Sequence, residues 1–600
     1  MNIEEQSKRS RRARTFAVAL AAGALALAGC SSGGGGSDPK DSNEPKMESQ
    51  DVTLGTAADS TGPAKDLPGA KKGGTVTVLQ RDAFEHLDPG QIYVSDELIM
   101  QTLYNRTLTN YQFDDKTGKA KLVGDLATDT GKSSDGGRTW TYTLKDGLKY
   151  EDGSPITSKD VRHAVERLYA PFEAAGPTYL QQWLSGEGQK YRKALPDGPY
   201  KGKHLPKSVL DTPDDKTVVF HFDQPRAEVP FAVAMPNIGA VPPGKDTKEK
   251  YDKAPLASGP YKIQNFKPGK GIQFVKNDQW DPKTDSIRHQ YVDKFDVSFG
   301  HQWVDSTRRL QANKGADRNA MTFTNAVDPS QISTVLKDKE AMSRSLTETQ
   351  PYVDVVSINT DRVKDKKVRE AIAWAFPSGQ YLQQFGGPKA GEIGGGLVGP
   401  TLKGYDPKFD PFQKKKYPGG NAKKARELLK EAGKENYELV YAYGNGDTHQ
   451  DASVVVEQAL ERAGFKVQKK EIDQSTYYTQ IGKVKNKFDL YRSSWGADWP
   501  SASTVVPPVY GGENVYDDSA NYSHLNVPSV NGEIAKVTKV SDLSRATSEW
   551  IKLSEKILTE DIPAVPTFYN RLFTLWGSGL GGVKFNTVYG AVDPTAVFIK

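Results

Sequence analysis

The chain has 600 residues, 36% of them hydrophobic and 10% aromatic, which exceeds what one core holds and is enough to bury several. Its formal charge is only +5. No Lys/Arg stripe interleaved with aromatics runs along it, so nucleic-acid binding is not expected. Cys30 is the single cysteine, so an exported body would owe nothing to disulfides.

The leader is read first. Lys8, Arg9, Arg11, Arg12 and Arg14 stand against Glu4 and Glu5, a net +3 of the total +5. The apolar run "TFAVALAAGALALA" follows, too short for a membrane span, and then Leu27-Ala28-Gly29-Cys30. This is a bacterial lipobox pattern. Residues 1–29 are therefore read as a signal peptide and Cys30 as the lipidated first residue of the mature chain. Buried acyl chains contribute about 0.8 kcal/mol per CH₂, so the expected location is exported and lipid-anchored to the outer face of the cell membrane. Arg11-Arg12 leaves the export route open between general secretion and the twin-arginine path. Residues 30–69, rich in Gly, Ser, Asp and Pro, read as a flexible tether.

Order is expected from "GGTVTVLQ" (73–80), where Val76 and Val78 alternate with threonines as in a strand. "RTWTYTLKDGLKY" alternates Trp140, Tyr142 and Leu144 and turns at Asp146-Gly147. "SPITSKDVRHAVERLY" starts a helix with Thr157 as N-cap and Asp160 three residues on, an acidic relative of the capping box. "KTVVFHFDQP" is another alternating strand. In the second half "NAKKARELLKEAG" and "DASVVVEQALERAG" are helices ended by Gly433 and Gly464, each leading into a strand, "YELVYAYG" and "FKVQKKEI". Such units predict an α/β domain with a largely parallel sheet, and the whole chain two α/β lobes with ligand in the cleft between them.

Residues 491–500, "YRSSWGADWP", set Asp498 between Trp495 and Trp499, with Arg492 upstream. The acid can be catalytic, structural or a ligand anchor. The chain contains no HExxH, CxxC, GxSxG or GxxxxGK[ST] motif, and its eight histidines lack metal-ligand spacing. No metal site and no cofactor are predicted. A glycosidase needs only two carboxylates, so an aromatic-cleft hydrolase stays open on motifs alone.

The order of several segments is more telling. "HLDPG", "ASGPYKIQNFKPGKGIQFVKNDQW", "VSINTDRVKDKKVREAIAWAF", "NAKKARELLKEAG" and "DIPAVPTFYN", behind a lipobox and tether, resemble the bacterial extracellular solute-binding proteins of family 5. These are the oligopeptide-, dipeptide- and nickel-type receptors of ABC importers. The resemblance implies a non-enzymatic, monomeric receptor of the two-lobe type with an inserted subdomain, delivering ligand to a permease and its ATPase. It places lobe 1 at 70–350 with the subdomain around 111–214, lobe 2 at 351–565, and a return to lobe 1 at 566–600. It implies that Asp498 meets a peptide's α-ammonium group, that Trp495 and Trp499 wall the pocket, and that the backbone from Ser494 to Gly496 pairs with the peptide. Tyr93 and Val94 resemble the opposing strand, Arg492 a basic position that can meet a carboxylate terminus, and Tyr179 a residue reaching in from the subdomain. Three departures touch specificity: Ser494 replaces the usual glycine, Trp499 the commoner tyrosine, and Tyr93 an acid of some relatives. An oligosaccharide or metal chelate on the same scaffold is the alternative ligand.

Overall fold

The computed structural model describes residues 52–114 and 117–600. Cys30, the leader and residues 30–51 of the expected tether lie outside the described residues. The rest of that tether is not free. Thr53–Leu54 pairs in parallel with Lys121 and Leu122, Gly124 N–H donates to Ser60 Oγ at 2.8 Å, and Lys121 pairs with Asp59 at 2.8 Å. A polar, glycine-containing segment lacks apolar side chains to bury, yet its main chain can complete a sheet edge. The expected tether end at 69 is corrected accordingly, and ordered chain begins some twenty residues before "GGTVTVLQ".

Three cores follow the chain. The first surrounds a five-stranded sheet in the order Ala320–Met321, Thr75–Leu79, Lys294–Ser298, Gly271–Lys276, Tyr261–Lys267. Val76 and Val78 are fully buried here, as their alternation predicts, beside Phe274, Phe295 and Val297. An ion cluster locks this region. Asp125 accepts from Arg106 Nε at 2.7 Å and from Arg288 Nη2 at 2.8 Å, all three residues being buried. Burial alone would raise the Asp125 carboxyl, but the two guanidinium groups hold it far below its ordinary value.

The second core lies under a four-stranded sheet, Lys132–Ser134, Thr139–Thr143, Thr217–His221 and Leu210–Asp211. Trp140 stands opposite Phe220 and Tyr142 opposite Val218, all four buried. The helix Ser158–Arg167 packs Val161, Ala164 and Val165 inward, and Thr157 N–H donates to Asp160 Oδ2 at 2.7 Å, the expected capping box. This core takes in residues from Leu108 to Ala240. A subdomain ending at 214 therefore stops too early, since it separates Leu210–Asp211 from its hydrogen-bonded neighbour Thr217–His221.

The third and largest core covers a six-stranded sheet: Gly391–Ile393, Ala564–Leu575, Ser345–Ile358, Leu490–Gly496, Glu438–Gly444, Lys466–Ile472. The predicted helices are Ala422–Glu431 and Asp447–Arg462, and Gly433 and Gly464 take φ of +63° and +95° where each helix stops. Glu438–Gly444 and Lys466–Ile472 pair in parallel as their helix–strand units predict. The sheet as a whole is mixed rather than largely parallel. Ser345–Ile358 runs antiparallel to both Leu490–Gly496 and Ala564–Leu575. These long strands, within which positions 350 and 565 fall, run from the third core into the first. Val353, Val355, Val356, Phe568 and Tyr569 are buried in the former, whereas Leu346 and Leu572 pack in the latter. A chain that leaves one lobe and later returns must cross in opposite directions, which makes the paired strands antiparallel. Among the described residues no helix is long and apolar enough to cross a membrane.

Candidate ligand-binding site

The strand Leu490–Gly496 carries the site. Leu490 and Tyr491 are buried and pair on both sides, with Ser357 and Ile358 and with Tyr441 and Ala442. Among the described residues Arg492 to Gly496 pairs only with Tyr352–Val356; on the other edge the Arg492 carbonyl accepts from the Tyr477 hydroxyl at 3.0 Å, and Ser494 to Gly496 has no second strand. Gly496 is where the Tyr352 ring crosses the strand. A Cβ there would lie 2.4 Å from a ring carbon, so glycine is required by close approach. The chain then turns through Ala502–Thr504. That turn fixes the motif from behind: Trp495 Nε1–H donates to the Thr504 carbonyl at 2.7 Å, and Asp498 N–H donates to Thr504 Oγ1 at 3.1 Å.

Asp498 Oδ2 receives two hydroxyls, from Tyr93 at 3.0 Å and from Tyr179 at 2.5 Å. Tyr93 belongs to the loop before the helix Ser95–Met100, and Tyr179 opens the helix Tyr179–Ser185. Three separate chain segments, two of them more than 300 residues from Asp498, therefore meet at one oxygen. Burial raises the Asp498 carboxyl to about 7, and the Tyr179 and Tyr93 hydroxyls pull only partly the other way. Among the described residues no cation pairs with that carboxyl. Tyr93 stands edge-on to Trp495 at 6.4 Å, and Tyr179 to Trp499 at 4.7 Å.

A cavity of about 740 Å³ opens beside this cluster, within the size range of small-ligand sites. Tyr93, Tyr179, Trp183, Trp495 and Trp499 form its aromatic wall, and residues between Pro507 and Trp550 also line it. Asp498 is not itself on the wall. It sits behind the two tyrosines that are. Trp499 is both wall and core, only 1% exposed and packed on Tyr179 and Trp183.

Not every sequence candidate reaches the cavity. Ser494 and Gly496 do not line it, and what they offer is the open strand edge. Val94 is 51% exposed and off the wall, and its carbonyl accepts from Leu98 N–H at 2.8 Å, so its backbone is taken up by the first helical turn. Arg492 is corrected more firmly. Its guanidinium pairs with the fully buried Asp354 and lies over Phe385 at 5.2 Å. It borders a much smaller cavity with Tyr381, Tyr441, Tyr477 and His449, where burial and Arg492 push the His449 imidazole down to about 3. The register explains this: Ser494 stands opposite Asp354, and Arg492, two residues along the same face, reaches that acid.

Sequence reading missed Trp183, Arg226 and Glu228, all on the wall. Trp183 had a signal, since "PTYLQQWL" puts it four residues after Tyr179 on one helix face. Glu228 had none, because "FDQPRAEVPF" gives no hint that the acid ends in a cavity.

The comparisons with known proteins bear on what such a cavity is for. The family described as bacterial extracellular solute-binding proteins, family 5 middle, matches residues 121–517. The chain belongs to this family. Among relatives of this family-5 protein, the probable D,D-dipeptide-binding periplasmic protein DdpA of Escherichia coli is 24% identical, covering 83% of this chain and 89% of that one. The glutathione-binding protein GsiB of Shigella dysenteriae is 22% identical, covering 84% and 91%. Among solved structures, clavulanic acid biosynthesis oligopeptide binding protein 2 is 27% identical with a TM-score of 0.80, covering 91% of this chain and 99% of that one. The fold is also that of the Helicobacter pylori binding protein DppA in complex with peptide STSA, at 18% identity and a TM-score of 0.69, covering 88% and 98%. The family-5 protein is therefore a two-lobe solute-binding protein and not an enzyme, which removes the hydrolase reading of Asp498.

Proposed function

We propose that this protein is the membrane-anchored receptor of an ABC importer, capturing short peptides between its lobes and passing them to the permease. The observation that carries the reading is Asp498. It is a carboxylate held by two neutral hydroxyls, set directly behind the tyrosines that wall a cavity of about 740 Å³, and among the described residues no cation pairs with it. A peptide's ammonium group supplies that cation, as a charge-assisted hydrogen bond. The edge of Ser494 to Gly496, which pairs with no second strand among the described residues, supports the same ligand, because an extended backbone can add to it without its side chains being read. The names of the relatives, three of them binders of peptides or dipeptides, point the same way.

A thermal-shift screen of purified protein over di- to hexapeptides tests it. Ligand at about a hundred times its Kd stabilises by roughly 2.7 kcal/mol, so the melting temperature rises for peptides with a free amino terminus and much less for their N-acetylated forms. A shift with oligosaccharides or metal chelates alone overturns the peptide reading in favour of the alternative ligands. The anchor is tested separately. Replacing Cys30 with serine is expected to move the protein from the membrane fraction to the soluble one, and unchanged membrane association would refute the lipid anchor.

A further inference from the structure

Capture of a peptide's amino terminus uses Asp498, behind the wall, and leaves a buried acid of the wall itself unexplained. Glu228 directly precedes the short helix Val229–Ala232, lines the same cavity and is only 8% exposed. Its Oε2 accepts from Ser503 Oγ–H at 2.5 Å, while Oε1 is buried without any hydrogen-bond partner. The Trp499 indole N–H, buried and without a hydrogen bond of good geometry, lies close enough to Glu228 to lower its carboxyl. No cation pairs with Glu228 among the described residues. Arg226, two positions earlier, lies over the Trp183 ring at 5.4 Å, and its nearest acid is Asp223 at 3.8 Å.

An ionised carboxylate out of water and without a cation costs several kcal/mol, so such a group persists where something else supplies the charge. Burial raises the Glu228 carboxyl above its ordinary value, and the donors of Ser501, Ser503 and Trp499 offset this only in part. On a cavity wall the missing charge can come from the ligand. Asp498 and Glu228 flank one aromatic ring: Trp499 packs on Tyr179, which holds Asp498, and its indole N–H faces Glu228. Two acids on either side of an indole match a ligand with two positive groups, and the Trp183 and Trp499 rings between them suit the apolar stem joining those groups.

We propose that Glu228 is a second cation-binding subsite and that the preferred ligand carries two cationic groups. The inference deepens the peptide reading and rests on it, the ligand then being a peptide with a basic side chain near its free amino terminus. A linear polyamine shares the chemistry.

Calorimetric titration separates these cases. The probes are Ala-Ala-Ala, Lys-Ala-Ala, Ala-Lys-Ala, Ala-norleucine-Ala, norleucine-Ala-Ala and spermidine, against the native protein, Glu228→Gln and Ser503→Ala. At least one lysine peptide is expected to bind about tenfold tighter than its norleucine counterpart, a difference of about 1.4 kcal/mol. Glu228→Gln should erase that preference to within twofold while weakening the lysine peptides far more than the norleucine peptides, because glutamine keeps the shape, can still accept from Ser503 and lacks only the charge. Ser503→Ala should keep the preference. No preference in the native protein, a preference that survives Glu228→Gln, or equal weakening of all peptides by that variant overturns the inference, while binding of Ala-Ala-Ala still upholds peptide capture. Binding of spermidine alone, weakened at least tenfold by Glu228→Gln, keeps the subsite and overturns the peptide reading. Binding of none of the probes overturns both.

Discussion

Asp498→Asn should weaken binding of a free-amine peptide by about a hundredfold and leave its N-acetylated form within threefold. The variant keeps an oxygen for the Tyr93 and Tyr179 hydroxyls and removes only the charge. A hundredfold is about 2.7 kcal/mol, the scale of a charge-assisted contact in a largely buried site. Equal loss for both peptides would place the amine anchor elsewhere. The raised carboxyl adds two pH signatures. Only the ionised carboxylate binds an ammonium, so affinity should fall about tenfold per pH unit below about 7. It should fall again above the ligand's own α-amino value of about 8, giving an optimum between the two. Affinity that stays flat from pH 5 to 7 would contradict a carboxylate that titrates near neutrality.

The second signature concerns stability without ligand. A carboxyl whose folded-state value is raised favours folding while protonated, and that advantage disappears as pH rises from about 4 through 7. Above pH 7 the native protein carries the full cost of burying the charge. Asp498→Asn should therefore stabilise the empty protein at pH 8, by on the order of 2 kcal/mol given the partial exposure of the group, and change little at pH 4. An unfolding midpoint at pH 8 unchanged by the substitution would show that the site stores no such cost. The binding site is thus expected to be electrostatically strained when empty and relieved by ligand, which makes occupancy readable as a rise in melting temperature.

Asp354→Ala should produce the largest loss of stability, about 3–5 kcal/mol. Asp354 is fully buried, accepts from Thr567 Oγ1 at 2.7 Å and balances Arg492. Its removal leaves a guanidinium without a counter-charge beside Tyr381, Tyr441 and Tyr477, and breaking one side of a buried pair costs that much. Replacing both partners, Asp354→Val with Arg492→Met, should recover most of the loss, because neither charge is then stranded. Urea unfolding at pH 7 reads both variants. A single-variant loss below about 1 kcal/mol, or a double variant no better than the single, would contradict the pairing.

Elements whose side chains alternate or repeat on one face were legible in the sequence. Val76 and Val78, the Thr157–Asp160 cap and the helices ended by Gly433 and Gly464 all rest on local periodicity and local backbone chemistry, which act over a few residues. The order of motifs was enough for the family, and "SSWGADWP" was enough to single out Asp498; Tyr93 was expected in an opposing strand and Tyr179 in the cleft, but not as the two hydroxyls on that acid. The fate of Arg492 was not legible. Whether a basic residue meets a ligand or a buried acid depends on which strand lies beside it, and the Ser345–Ile358 strand is more than a hundred residues away. The same limit hid Glu228, whose neighbours Ser503 and Trp499 lie more than 250 residues further along the chain, and the main-chain docking of residues 53–60, whose composition reads as solvated linker. Local pattern determined which segments are strands and helices and that an acid sits between two indoles. Only tertiary structure decided which acid is paired, which is capped by hydroxyls and which is left waiting, because those outcomes depend on burial and on partners brought together from distant parts of the chain.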